Sequence, residues 1–365
     1  MAKSLLRYHI DVSVADLIEE KHLAEKMARV TVDLRISNCD ITSRIKVYGG
    51  IDVLDEGQVT QLLVKEKPDI VVNYAIPFTW DATKQLPNYN RVSAAGLGAF
   101  AAVQVLAPKI IAQAIAASEI DAKFIVGNLP DITVPIIYGL QKHQRLALPI
   151  AGAGNVGLIE AGLKHTIAIE RQLKVKDLSL SLVAHHVHWV APREPGYPND
   201  APFLFRVIYQ GSDITDELGD LRELMNRSIV NCYEAGAGFS STTALLAAQL
   251  VLSLLDEEGK VHSLHVPAPN GLPGGYPVTV KDGTIDIDLP SQWQPNEAVE
   301  LMRQAHQRDG IDKIEDDGSI HFNLQSVTIL KKEIGMSLPE IVIPSDLETV
   351  AKEQIRLAQI ATKII

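Results

Sequence analysis

Three histidines in four positions dominate the chemistry this sequence can offer. The run Leu180–Val190 reads Leu-Ser-Leu-Val-Ala-His-His-Val-His-Trp-Val. Imidazole titrates near neutral pH, so such a cluster points to proton transfer. The flanking apolar alternation predicts a strand over 179–190, which would place His186 and His188 on one face and His185 on the other. His186 is the strongest candidate for a general acid or base. No carboxylate or cysteine stands at a metal-ligand spacing beside the cluster, so no metal site is expected from it.

A second feature is Gly152-Ala153-Gly154-Asn155-Val156-Gly157, a GxGxxG that follows an apolar run and opens a helical pattern. Asp177 lies about 20 residues further on, where a ribose-binding acid would belong. Glycines there would let the backbone approach a pyrophosphate at a helix N-terminus. The same pattern also suits a plain domain junction, and both readings stay open. The turn expected after the first strand, Asp11-Val12-Ser13-Val14-Ala15-Asp16, holds no glycine and two carboxylates, which opposes a backbone phosphate cradle at that point.

Elements able to position these groups follow from periodicity. Residues 5–12 and 30–36 read as strands, with a helix from Ser13 to Ala28 between them. A helix over 57–67 is stopped by Pro68. Asp69–Ala75 (Asp-Ile-Val-Val-Asn-Tyr-Ala) reads as a buried parallel strand. An Ala-rich helix over 94–117 contains Pro108, and 123–126 is the next strand. The alternation predicts an α/β, Rossmann-like doubly wound domain over residues 1–150. Mixed helices and strands then predict an α+β second domain over 151–365. Pro192–Pro202, rich in proline, reads as a mobile or substrate-facing loop. The amphipathic helices near the C-terminus suit either a homodimer interface or a core position, and residues 312–365 carry no functional assignment.

Several segments, in order, resemble the lactate/malate dehydrogenase superfamily and, more distantly, the NAD-dependent family 4 glycosidases. They are Asp69–Ala75, Gly127-Asn128-Leu129-Pro130-Asp131-Ile132, His185-His186-Val187-His188-Trp189 and Gly238-Phe239-Ser240-Ser241. The resemblance implies a Rossmann-like domain that binds NAD or NADP through Asn73, Ala75 and Asn128. It implies that His186 and Asn128 serve the chemistry, with Glu160 in place of the family's histidine-orienting aspartate. Substrate contacts would fall to Arg91, Lys164, His188 and Ser240. Lys164 departs from the family's arginine and lacks the planar fork that grips a carboxylate. The implied activity is oxidoreduction of a hydroxy/oxo small molecule. The rival expectation is a non-catalytic binding or assembly subunit that has lost its phosphate loop.

Composition narrows the classes. The 365 residues carry 34 basic and 45 acidic side chains, a net charge of −11. That balance lacks the basic footprint of nucleic-acid binding and suits anionic membranes poorly. Two cysteines far apart, Cys39 and Cys232, exclude a disulfide scaffold and fit a reducing cytoplasm. Neither of the apolar stretches, 97–117 and 242–255, reads as a membrane span. The expected protein is cytoplasmic, binds a small molecule and forms a homo-oligomer.

Overall fold

The structure is a computed structural model. It describes residues 1–365 except 38, 40, 41, 79, 87, 234–239 and 363–365, and omits the side chains of 80, 81, 240, 241, 358 and 360–362. In chain order the first half holds α1 (Ala2–Arg7), β1 (Val12–Ala15), α2 (Glu20–Ile36), β2 (Ile45–Tyr48), α3 (Glu56–Glu66) and β3 (Ile70–Asn73). These lead to short helices α4 (Trp80–Thr83) and α5 (Tyr89–Val92), then α6 (Ala101–Ser118), β4 (Lys123–Val126), α7 (Pro130–Leu140) and β5 (Pro149–Gly152). Strand pairing is parallel throughout this half: β1 with β2, and β3 with β4 with β5.

Two predicted strands are helical instead. Leu5 and Leu6 belong to α1 and are buried, so the first strand starts only at Val12. Residues 30–36 form the last two turns of α2, whose buried Leu23, Met27 and Leu34 repeat at helical spacing. The β-branched composition of this segment suggested a strand; packing of one helical face overrides that propensity. Residues 16–19 therefore form the first strand–helix turn, and this turn also lacks glycine.

The second half begins with α8 (Asn155–Glu170), β6 (Leu178–Val183), α9 (His186–Val190), β7 (Leu204–Tyr209) and β8 (Ser212–Asp213). It continues through α10 (Leu221–Cys232), α11 (Ser240–Leu254), β9 (His262–Pro267), β10 (Gly275–Lys281), β11 (Thr284–Ile287) and α12 (Pro295–Arg308). The last part is β12 (Ile311–Ile314), β13 (Ile320–Phe322), α13 (Leu324–Ile334), β14 (Ile341–Val342) and α14 (Leu347–Thr362). Its sheets, β6–β7–β8, β9–β10–β11 and β12–β13–β14, are antiparallel. Parallel pairing early and antiparallel pairing late bear out the α/β expectation.

The C-terminal segment returns to the first half. Ile311, Ile320, Leu330, Val342 and Ala351 share one apolar core with Val105, Phe124 and Ile136. Gln354 ties α14 to the start of α6, donating to Ala99 O at 2.9 Å and accepting from Val103 N at 3.1 Å. This gives residues 312–362 a packing role that their sequence left unassigned. Among the described residues, Gly98–Ser118 is long and apolar enough to cross a bilayer, and it is mostly buried inside the protein.

Candidate functional site

The carboxyl ends of β3, β4 and β5 deliver Asn73, the segment 127–131 and the loop 152–155, the place where α/β folds build their sites. Pro130 occupies the first turn of α7, where its missing N–H costs nothing, and Asp131 follows it with a favourable acid position. Asp131 is fully buried; its Oδ2 accepts from Asn155 Nδ2 at 3.1 Å. The loop Gly152–Gly157 thus stands directly against Asp131.

The histidine run does not continue strand β6. The strand ends at Val183, Ala184 makes a single bridge to Gly275, and the chain turns into the five-residue α9. His185 is the N-cap: its Nδ1 accepts from Val187 N at 3.3 Å, while His188 Nδ1 accepts from His185 N at 3.0 Å. Two histidines perform the reciprocal capping that Ser and Glu perform elsewhere, so no ordinary helix-start residue marks this point. The expected shared strand face of His186 and His188 is therefore absent.

His186 lies between two carboxylates, both fully buried. Its Nδ1 is 3.3 Å from Asp131 Oδ2, and its Nε2 is 2.8 Å from Asp309 Oδ2. The ring N–H groups are not aligned with these oxygens well enough to form hydrogen bonds, so the contacts are ion pairs. Burial opposes charge on His186. The negative charge of Asp309 and the contacts with Asp131 outweigh it and raise the pKa to about 9. At neutral pH the group is an imidazolium. Its neighbours go the other way: burial, then the adjacent rings, pushes His185 well below the ordinary value, and burial holds His188 at about 4. His306 is also lowered by burial and donates from Nε2 to Asp131 O at 3.0 Å.

Asp309 is held as firmly as Asp131. Its Oδ1 accepts from Leu97 N at 2.9 Å and from the Tyr197 hydroxyl. Burial, then the Asp309 charge, raises the Tyr197 pKa. Tyr197 belongs to the proline-rich loop 192–202, which is tied to the first half of the chain: Ser93 Oγ donates to Pro195 O at 2.6 Å. Gly96 makes room for Asp309. Its φ is +79°, and a Cβ there would stand 2.2 Å from Asp309 O. Gly96→Ala is therefore expected to cost at least about 2 kcal/mol, read as a lower urea midpoint at unchanged m-value.

Other sequence candidates fall elsewhere. Glu160 pairs with Lys164 at 2.5 Å, and both line a separate polar cavity of about 250 Å³ with Gly154, Gln249, His265 and Asp288. Arg91 is mostly exposed, 3.6 Å from Glu333. Asn128 is buried, accepting from Asn73 Nδ2 at 2.7 Å and donating to Gln104 O at 2.8 Å; Asn73 Oδ1 accepts from Ala75 N at 2.9 Å. His188 donates from Nε2 toward Ala201 O at 3.1 Å and so anchors the loop. The segment Gly238–Phe239 and the side chain of Ser240 lie outside the described residues. Asp309 and Tyr197 escaped sequence reasoning. Asp309 follows a helix end as an ordinary turn residue, and no local pattern marks it.

Donor atoms of Asp131, His185 and His186 come within 4.8 Å of one another. With Nδ1 accepting from Val187, neutral His185 carries its proton on Nε2, which is then a donor and not a cation ligand.

No protein-family model matches the sequence, and no curated protein is similar to it at the sequence level. Solved structures are similar in fold. Malate dehydrogenase from Plasmodium falciparum, in complex with NADH, aligns at 12% identity over 84% of this chain and 91% of its own, TM-score 0.51. A lactate dehydrogenase from a Medee basin deep-sea metagenome library aligns at 12% identity with the same coverages, TM-score 0.55. Malate dehydrogenase from Cryptosporidium parvum aligns at 15% identity over 84% and 91%, TM-score 0.50. The chain has the two-part fold of the malate and lactate dehydrogenases.

Proposed function

We propose that the chain is a divergent oxidoreductase of the malate/lactate dehydrogenase type, acting on a small hydroxy/oxo compound with His186 as its proton-transferring group. The observation that carries this reading is the buried Asp131–His186–Asp309 cluster, a strongly perturbed acid–base centre assembled from both halves of the fold. An imidazolium held by two carboxylates can release a proton to a developing alkoxide and recover it when the reaction runs in reverse. Asp131 and Asp309 fix the ring and stabilise its charged form. Asn128, three residues before Asp131, anchors the loop that carries it. Glu160 pairs with Lys164 in a separate cavity, so in this reading Asp131 and Asp309, not Glu160, orient His186.

The hydride carrier such chemistry uses is a nicotinamide dinucleotide, NAD or NADP. The chain's own residues do not fit its pyrophosphate. The turn 16–19 has no glycine, and a Cβ on Gly49 would lie 2.1 Å from Glu20 N, so backbone already fills the N-terminus of α2. Gly152 and Gly157 each pack against protein on one side, a Cβ on Gly152 meeting Pro130 at 2.1 Å and one on Gly157 meeting His265 O at 3.1 Å, and with Gly154 they border the polar cavity of Glu160 and Lys164 on the other. These glycines serve close packing.

That mismatch, and the 1% exposure of His186, favour the second reading of a non-catalytic binding or assembly subunit. The two separate by experiment. His186 ring signals are followed by NMR against a panel of 2-oxo acids, 2-hydroxy acids and larger ketones, with nicotinamide-linked turnover measured alongside. The enzyme reading expects at least one compound to move the His186 signals, and His186→Gln to lower turnover per folded molecule by about 10²–10⁴-fold. Unmoved signals across the panel, with no turnover, support the second reading. The proposal includes a cytoplasmic location, in keeping with the free thiols of Cys39 and Cys232, and a homo-oligomeric state that sedimentation would test.

A further inference from the structure

The parallel part of the fold is split. Among the described residues, β1 pairs only with β2, and β3 pairs on one side only, with β4. A doubly wound sheet has the spatial order 3-2-1-4-5-6. β2–β1 match its positions 3-2, and β3–β4–β5 match 4-5-6, each pair joined by the expected helical crossover. Position 1, between β1 and β3, is filled by no strand among the described residues. This is also the position whose strand ends in the glycine turn that cradles a pyrophosphate.

The free edges are chemically ready for a strand. Val12 N donates to Arg44 O at 2.9 Å and Asp16 N to Tyr48 O at 3.1 Å, so the even residues of β1 serve β2. Ser13 and Ala15 turn their backbone groups to the opposite edge. Likewise Lys123 N donates to Asp69 O at 2.9 Å and Gly127 N to Asn73 O at 2.8 Å, which directs the backbone of Ile70 and Val72 away from β4. β3 reads Ile-Val-Val-Asn, the run of a strand covered on all sides, yet Ile70, Val71 and Val72 are only half-buried. In contrast, Phe124, Ile125 and Val126 of neighbouring β4 are fully buried. Val14, Ile70 and Val72 pack against the same core as Leu5, Leu6 and Val12, so both edges border one apolar interior.

We infer that the slot between β1 and β3 accepts one parallel, apolar β-strand from a further polypeptide segment, and that its glycine turn completes the dinucleotide site this chain lacks. The occupant is an extended run of β-branched residues ending in Gly-x-Gly-x-x-Gly. A parallel strand is required because both flanking edges run in one direction, and apolar side chains are required on the face it shares with Val12, Val14, Ile70 and Val72, which borders the core, whereas the face of Ser13 and Ala15 is exposed. The dinucleotide clause rests on the oxidoreductase reading; the strand slot does not.

Two measurements test it. In the intact chain, Ser13→Cys/Val72→Cys is oxidised and, separately, treated with a bis-maleimide of about 10 Å reach. A slot one strand wide holds the two Cα atoms about 10 Å apart, beyond the roughly 7 Å limit of a disulfide. Cross-linking by the maleimide without disulfide formation is expected; ready disulfide formation means the edges touch and overturns the proposal. A synthetic peptide of six β-branched residues followed by Gly-x-Gly-x-x-Gly is then titrated while amide exchange is followed. The amides of Ser13, Ala15, Ile70 and Val72 are expected to slow at least about tenfold, and not with a control carrying proline mid-strand. Unchanged exchange at saturating peptide overturns the proposal. NADH fluorescence in the same titration separates the two claims. Protection without NADH binding leaves the slot and removes the dinucleotide clause, whereas the His186 experiments are unaffected by either result.

Discussion

Replacing His186 by alanine is expected to destabilise the protein by about 3–5 kcal/mol, the cost of breaking a buried ion cluster by removing one partner. The reason is specific to the arrangement. His186 is the cation between Asp131 and Asp309, and neither carboxylate has water to fall back on. Without the ring, two buried negative charges face one another across the vacated space. Urea unfolding at pH 7 checks the value. A second variant, Asp131→Asn/Asp309→Asn with His186→Phe, removes all three charges at near-constant volume and is expected to recover much of the loss. A His186→Ala variant as stable as the parent would mean that the cluster is not charged.

Stability should also peak near pH 6.5 and fall on both sides. The folded-state pKa of His186 is raised to about 9, against about 6.5 when unfolded. Its contribution is complete below 6.5 and is lost as the pH rises through 9. At about 1.4 kcal/mol per pKa unit this limb is worth about 3 kcal/mol. His188 is held at about 4, and His185 and His306 are lowered too. Their contribution is present above 6.5 and is lost as the pH falls toward 4. Thermal unfolding across pH 4–10 should show both limbs, and His186→Gln should flatten the alkaline one alone. A stability plateau from pH 7 to 10 in the parent protein would contradict the assignment.

Much of the fold was legible because its signals are local. The run Ile70–Asn73, the strand Lys123–Val126 and the helix after Gly154 follow from continuous apolar runs and from helical spacing. In the misplaced strands, 5–12 and 30–36, the buried residues are Leu5 and Leu6 of α1 and Leu34 of α2, which continues the helical spacing of Leu23 and Met27, while β-branched Val32 and Ile36 are exposed; composition alone does not reveal this. Within the site, His186 stands out by residue type. Asp131 follows a helix-starting proline, where an acid is an ordinary first-turn residue, and Asp309 arrives from 123 positions downstream of His186 with no local mark. The capping by His185 and His188 converts an apparent strand into a helix, and histidine is not an ordinary cap. Sequence periodicity also says nothing about which strand edges stay open, so the split sheet appears only once the pairing is known.

The central claim is that His186 is a protonated, carboxylate-held group available for proton transfer at neutral pH. It is tested most directly by following the ¹⁵N chemical shifts of the His186 ring through a pH titration of the intact protein. The account predicts that both ring nitrogens stay protonated through neutral pH, with a midpoint near 9. A midpoint at or below 6.5, or a neutral ring at pH 7, would contradict it.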